Sequence, residues 1–416
     1  MQSKPSIHKE STREKVKVKN KKILENLSLI PNAIEFVCCR ASYTFPLAYQ
    51  RVFYFKVENH LMSYPLDIPI CDPHFHLWDT TSTPNPNLGG IVDAPHPTNP
   101  SAPKLGIYLA ETFLTDISTL PYVAALHVEA VVGQQPGGYV LDTVAETTFV
   151  SKEAARSLLT SAGGPLKKYG IVAFVQLSQE DADDVIIRHE KACTTGELRG
   201  IRMILNFDEN DPTVCWPQVG HSEYLTGKLD FFNKNVAALA SKGLTFDTHV
   251  NWFQLEQAAS YFFKYAPETT LILDHLGCLK LKLGGQLLST KESESEDAKE
   301  DEKRFSVWKE GITALAANPK ANIKISGLEY IVPGWMEPNT SQRTMAIEIV
   351  KFAIKAFGDK RCMVASNFPV DLTMGKKSLV NLYECLYEVI TSAVPSLSKE
   401  QLIGLFHDNA VRVYGL

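Results

Sequence analysis

Residues 68–79 read Ile68-Pro69-Ile70-Cys71-Asp72-Pro73-His74-Phe75-His76-Leu77-Trp78-Asp79. An apolar run opens this stretch and a cluster of titratable side chains closes it, as in a buried strand whose end carries chemistry. Side chains two residues apart on a strand point to one face, so His74 and His76 are expected to share a side with Asp72. Two imidazoles about 7 Å apart along a strand can converge on one ion or one substrate oxygen. A pair of buried, hydrogen-bonded histidines is the competing structural reading.

From residue 66 onward the same kind of run recurs. Apolar or β-branched segments fall at Ile68–His76, Tyr122–Val132, Gly170–Leu177, Leu198–Leu205, Leu244–Val250, Thr270–His275, Ala321–Gly327 and Arg361–Asn367. Between them lie helical candidates: Leu141–Ser161, Glu180–Cys193, Tyr224–Lys242, Trp252–Tyr265, Arg304–Asn318, Gln342–Gly358 and Lys377–Ser392. Strands alternating with helices imply βαβ units and a parallel sheet. Eight such units predict an α/β chain folded as a (β/α)8 TIM barrel, with an irregular N-terminal extension and loop insertions. A doubly wound sheet would need a Gly-rich phosphate turn after its first strand, and Pro73-His74-Phe75-His76 is no such turn.

Composition narrows the function classes. The 416 residues carry 42 Lys and Arg against 47 Asp and Glu, a net charge of −5, which argues against a nucleic-acid footprint. No apolar run reaches the length of a membrane-spanning helix. The eight cysteines lack paired CxxC spacing and read as reduced thiols in a cytoplasmic setting. Residues 1–66 form an N-terminal extension and 67–416 the barrel. The extension opens with a Lys-rich stretch, residues 1–22, for which disorder is expected and a mitochondrial transit peptide is the alternative. Residues 34–57 are apolar and aromatic and are read either as an extra strand pair or as a cover on the barrel. Residues 81–105 hold six prolines in a loop after the first strand, where lids and binding loops occur. The acidic run 291–303 reads as a solvated surface excursion.

Further strand ends repeat the chemistry of the first. His127 and Glu129 end the second strand, Asp247 and His249 the fifth, and Asp274-His275 the sixth. A barrel brings all strand C-termini to one rim, so these scattered residues are expected to meet there as a functional site.

The opening DPHFHLWD is similar to the first strand of the amidohydrolase-related family (amidohydrolase 2), in its lactonase-like branch of TIM-barrel metal-dependent hydrolases. HVEA at 127–130, GIRMIL at 200–205, DTHV at 247–250, LDHLG at 273–277, KISGL at 324–328, ASNFPVD at 365–371 and HDNAVRVYGL at 407–416 follow in the family's order. The resemblance covers residues 67–416. It implies that His74 and His76 hold a divalent metal, Zn²⁺ above all, or the substrate carbonyl. His249 and His275 match the catalytic histidines of strands five and six. The family's strand-eight Asp, which ligates metal and takes a proton from water, is here Asn367. An amide cannot take that proton and is a poorer zinc ligand, so a metal-independent site stays open.

Asp371 and Glu129 are the two candidates for the missing base. A helix N-cap is the alternative for Asp371, and an ion pair with Lys324 or Arg202 the alternative for Glu129. Arg202 is the candidate for binding a substrate carboxylate, or else a structural ion pair, and His127 and Trp78 are further substrate-binding candidates. The resulting expectation is a hydrolase of small sugar-acid or carboxylate lactones. A metal-dependent barrel decarboxylase and a catalytically inactive barrel used for binding are the alternatives. The expected partner is a small-molecule substrate, with no nucleic acid and no membrane, and a homo-oligomer remains open.

Overall fold

Every run read as a strand forms one in the computed structural model, which describes residues 64–80, 104, 106–130, 143–158, 166–211, 214–215, 222–283, 295–375 and 377–416. The strands are β1 (Ile70–Phe75), β2 (Tyr122–Val128), β3 (Lys168–Ala173), β4 (Glu197–Ile204), β5 (Thr245–His249), β6 (Leu271–Leu273), β7 (Ala321–Ile325) and β8 (Cys362–Val364). A helix follows each: α1 (Ala110–Asp116), α2 (Thr143–Glu153), α3 (Ala182–Ala192), α4 (Asp230–Ala238), α5 (Leu255–Tyr265), α6 (Glu296–Ala316), α7 (Ser341–Phe357) and α8 (Leu379–Ala393). The strands pair in parallel and in chain order from β1 to β8. The ring closes beyond β8, where Asn367 N–H donates to His74 O at 2.8 Å and His76 N–H donates to Phe368 O at 2.7 Å. This is the expected (β/α)8 barrel, and its closing seam runs through the residues that carry the chemistry.

Strand alternation divides the core into two layers. Between barrel and helices, Phe75 stacks on Phe113 of α1 with ring centroids 4.2 Å apart. A second cluster gathers Leu126, Val128, Val172, Ile272 and Met363 with Ala410 and Tyr414 of the C-terminal helix Asn409–Tyr414. Tyr64 buries its ring against Tyr383, Tyr387 and Phe406.

The structure departs from the sequence reading at three places. Helix α1 was not anticipated, because its seven residues are too short to show periodicity. Helix α6 begins at Glu296, so residues 296–303 of the acidic run are helical, while Glu296, Asp297, Lys299, Glu302 and Lys303 are exposed as expected of a solvated stretch. Ser295 caps it by accepting the Ala298 N–H, and Asp301, fully buried, accepts the N–H groups of Lys282 and Leu283 at 2.7 Å each. A register shift between Asp72 and Phe75 breaks the alternation of β1. The Asp72 carboxylate therefore does not share the face of the histidines; it accepts from Ser366 N–H and Tyr122 OH.

Six described cysteines are free thiols. No helix among the described residues is long and apolar enough to cross a membrane. The readings for residues 1–63, 81–103 and 291–294 lie outside the described residues.

Candidate active site at the barrel mouth

The floor of the barrel mouth is a buried charge cluster. Lys324 of β7 reaches Asp247 Oδ2 of β5 at 2.6 Å, Asp274 Oδ1 after β6 at 3.0 Å and His74 Nδ1 of β1 at 3.1 Å. All four side chains are fully buried. Charges so far from water persist only when paired, and here the pairing is dense. Tyr414 OH adds a hydrogen bond to Asp247 Oδ2 at 2.5 Å. Burial alone would push the Asp274 carboxyl up, but Lys324 and His74 beside it hold it well below the usual carboxylate range.

Above this floor opens a cavity of about 420 Å³, lined by His76, Arg202, Asn206, His249, His275, Cys278 and Asn367, with Trp78, Trp252, Phe253 and Tyr330 among its apolar walls. Its imidazoles are neutral. Burial, then the Arg202 charge, pushes His76 down to about 3, and burial pushes His249 to about 4. His275 is held well below its ordinary value by burial as well. His76 Nδ1 lies 2.8 Å from Val128 O and its Nε2 3.3 Å from Asn367 Oδ1, so both ring nitrogens face hydrogen-bond acceptors.

Residues 275–278 are a left-handed turn with φ of 50°, 54°, 68° and 49°. Gly277 suits it, since a Cβ there would also stand 2.9 Å from Leu255. Trp308 of α6 holds the turn by donating Nε1–H to Leu276 O at 2.7 Å. Gly327, at φ 65°, backs it: a Cβ would lie 2.9 Å from His275 Cβ. Asn367, at φ 53°, fits the left-handed region that Asn tolerates better than most residues.

The two carboxylates considered as bases are differently placed. Glu129 accepts Arg202 Nε–H at 2.6 Å, and its backbone carbonyl accepts Nη2–H at 2.7 Å, so it is an ion-pair partner. Asp371 is buried beside Asn367; burial pushes its carboxyl up to about 8 past the opposing Asn367 amide, with Glu329 adding to the rise. It keeps its proton at neutral pH. His127 does not line the cavity. Its neighbours Leu126 and Val128 face the barrel interior, and its own ring points to the helices, taking Leu77 N–H at Nδ1 and meeting Glu146 of α2 at Nε2 over 3.3 Å. Trp78 does line the cavity and stacks on His76 at 6.0 Å.

The metal expected at His74 and His76 meets a specific obstacle. His74, Asp274 and His275 bring ligand atoms within 4.8 Å of one another. Yet His74 Nδ1 and Asp274 Oδ1 already hold Lys324 Nζ, and His74 Nε2 faces Arg202 Nη1 at 3.4 Å. A divalent ion on these atoms would share them with an ammonium, so this donor set fits Lys324 and not a tightly held metal.

Asn206, Tyr330 and Cys278 are among the cavity residues that the sequence did not single out. Asn206 lies two and four residues beyond Ile204 and Arg202, and strand alternation points to it. Tyr330 and Cys278 follow turns with positive φ, where periodicity carries no signal.

Comparisons with known proteins agree with this architecture. The Amidohydrolase family model matches residues 71–416. The chain is 28% identical over 353 residues to the Sinorhizobium fredii protein named uncharacterized protein y4mH, covering 84% of this chain and 99% of that one. In fold it is similar to a Burkholderia multivorans amidohydrolase with bound HEPES, at 19% identity and a TM-score of 0.59, covering 83% of this chain and 99% of that one. It is likewise similar to that amidohydrolase with bound zinc, at 19% identity and a TM-score of 0.58 over the same shares.

Proposed function

The chain belongs to the amidohydrolase family, and from that membership we propose that it is a lactonase, opening a small lactone that bears a carboxylate. The observation that carries this reading is the juxtaposition of a buried guanidinium with neutral imidazoles in one cavity. Arg202 gives Nε and Nη2 hydrogen bonds to Glu129 and sets Nη1 beside His74 Nε2 at 3.4 Å and Asp274 Oδ2 at 3.7 Å, and the same side chain lines the cavity together with His76, His249 and His275. A planar fork of this kind suits a carboxylate or a developing oxyanion. The neutral imidazoles can hydrogen-bond a substrate oxygen or a water at pH 7, while Asp371 keeps its proton and Glu129 is ion-paired. Trp78, Trp252 and Phe253 supply apolar walls for a ring.

His76 is the imidazole whose ring orientation is best defined, through its contacts with Val128 O and Asn367 Oδ1. No step in this reading runs through a metal. The decarboxylase alternative needs a fully liganded ion, and Lys324 stands on the ligand atoms it would use.

The test is hydrolysis of a lactone panel, each ring offered with and without a carboxylate and followed by acid release. Carboxylate-bearing rings should be preferred, and Arg202→Lys should reduce that preference by about tenfold to a hundredfold, since Lys lacks the planar fork. Failure to open any ring would end the lactonase reading.

A further inference from the structure

The wall of the cavity contains a second catalytic arrangement that neither the motifs nor the family match assigns. Cys278 Sγ–H donates to His249 Nε2, and His249 Nδ1–H donates to Asn206 Oδ1 at 2.6 Å. The orientation of the Asn206 amide follows from its own neighbour. Asn251 donates Nδ2–H to Val214 O at 3.1 Å, so its Oδ1 faces Asn206 and takes the Nδ2–H at 2.7 Å. With Asn206 reversed, its Nδ2–H would donate to His249 O at 3.0 Å and to His249 Nδ1 at 2.6 Å, and its Oδ1 would stand 2.7 Å from Asn251 Oδ1. With Asn206 Oδ1 toward the ring, His249 carries its proton on Nδ1 and turns its lone pair to the thiol. Nucleophile, base and base-orienting amide stand in series, and all three line the cavity. Cys278 is partly exposed there, while the left-handed turn pinned by Trp308 sets its direction. On the same cavity wall the Asn367 amide, on a residue 2% exposed, stands among His76, Asp371 and Tyr330. It can serve a carbonyl oxygen that gains charge.

We propose that Cys278 is the nucleophile of this site, with His249 as its base and Asn206 as the positioning residue. The proposal rests on the lactonase reading for its substrate. Sulfur bonds the lactone carbonyl carbon as the thiol proton passes to His249 Nε2. The ring C–O bond then breaks, the leaving alkoxide takes that proton, and a thioester remains on Cys278. Water attacks the thioester, giving one proton to His249, the C–S bond breaks, and the thiolate recovers the proton. The sum is lactone plus water giving the hydroxy acid, with no oxidant, reductant or metal. At rest the pair is neutral: burial, with the nearby Asp274 charge, raises the thiol, and burial lowers the imidazole. The proton therefore moves only as sulfur bonds carbon. The carboxylate of Asp274 favours the imidazolium when it forms.

Two measurements on the full chain test this. For a lactone that the wild type opens, Cys278→Ala and Cys278→Ser should lose kcat on the order of 10³-fold or more, with KM nearly unchanged. A loss below tenfold in either overturns the proposal and leaves the lactonase reading standing. Separately, iodoacetamide should alkylate Cys278, located by peptide mass, and His249→Gln should slow that reaction at least tenfold. Equal rates in the two proteins overturn the proposal. Should no lactone be opened while alkylation still depends on His249, the Cys–His pair stands and the substrate class falls.

Discussion

Lys324 Nζ and Asp274 Oδ1 lie 3.0 Å apart at the floor of the barrel mouth, and solvent reaches neither side chain. The same ammonium sits 2.6 Å from Asp247 Oδ2 and 3.1 Å from His74 Nδ1. The charge at the centre of this site is thus carried by the protein's own β7 residue, and the histidine motif of β1 encloses it.

Chelation should leave the activity in place. After dialysis against a strong chelator, turnover of a lactone substrate is expected to stay within about twofold of the untreated protein, since no step assigned above passes through an ion. Loss of turnover restored by zinc would overturn the assignment of Lys324 as the central cation.

Arg202→Met should destabilise the chain by about 3–5 kcal/mol, because it strands the Glu129 carboxylate in a dry site. Adding Glu129→Gln should recover much of that loss, because the uncompensated charge is removed along with its partner. Urea unfolding of the single and double variants measures both. Equal midpoints for the two would show that the pair is not coupled.

Asp371 gives the stability a pH signature. A carboxyl raised to about 8 in the folded state keeps its proton, while the unfolded chain loses it near pH 4. Its contribution is fully present below the unfolded value and is lost as pH rises through the folded value. Relative to Asp371→Asn, which stays neutral throughout, the wild type should therefore lose stability from about pH 4 to pH 8, by at most about 1.4 kcal/mol per pH unit. A difference that stays flat over this range would mean Asp371 is ionised in the fold.

Tyr414→Phe removes the hydroxyl that donates to Asp247 Oδ2 at 2.5 Å. The loss of a buried hydrogen bond to a charged group should cost about 1.5–3 kcal/mol in denaturant unfolding. A neutral substitution would show that Lys324 and Thr245 alone satisfy Asp247.

The architecture was legible in the chain because barrel strands obey local rules. A β-branched or apolar run such as Ile323-Lys324-Ile325, whose isoleucines flank a lysine, or Leu271-Ile272-Leu273 marks a strand wherever the rest of the molecule lies, and the alternation with helices leaves one economical way to close the sheet. The clustering of His74, His76, His249 and His275 followed from the same geometry, since every strand end reaches one rim. Helix α1 and the buried Asp301 escaped because neither a seven-residue helix nor a single buried carboxylate has a periodic signature.

Roles were another matter. Which way His127 points, whether Glu129 is free or bound to Arg202, and that Lys324 stands between Asp247 and Asp274 all depend on contacts between residues far apart in sequence. So does the meeting of Cys278, His249 and Asn206, which a turn of four left-handed residues brings about. Local sequence dictates backbone habit, because that is set by neighbours along the chain. Protonation and pairing are set by neighbours across space in a medium without water, and only the folded barrel supplies those.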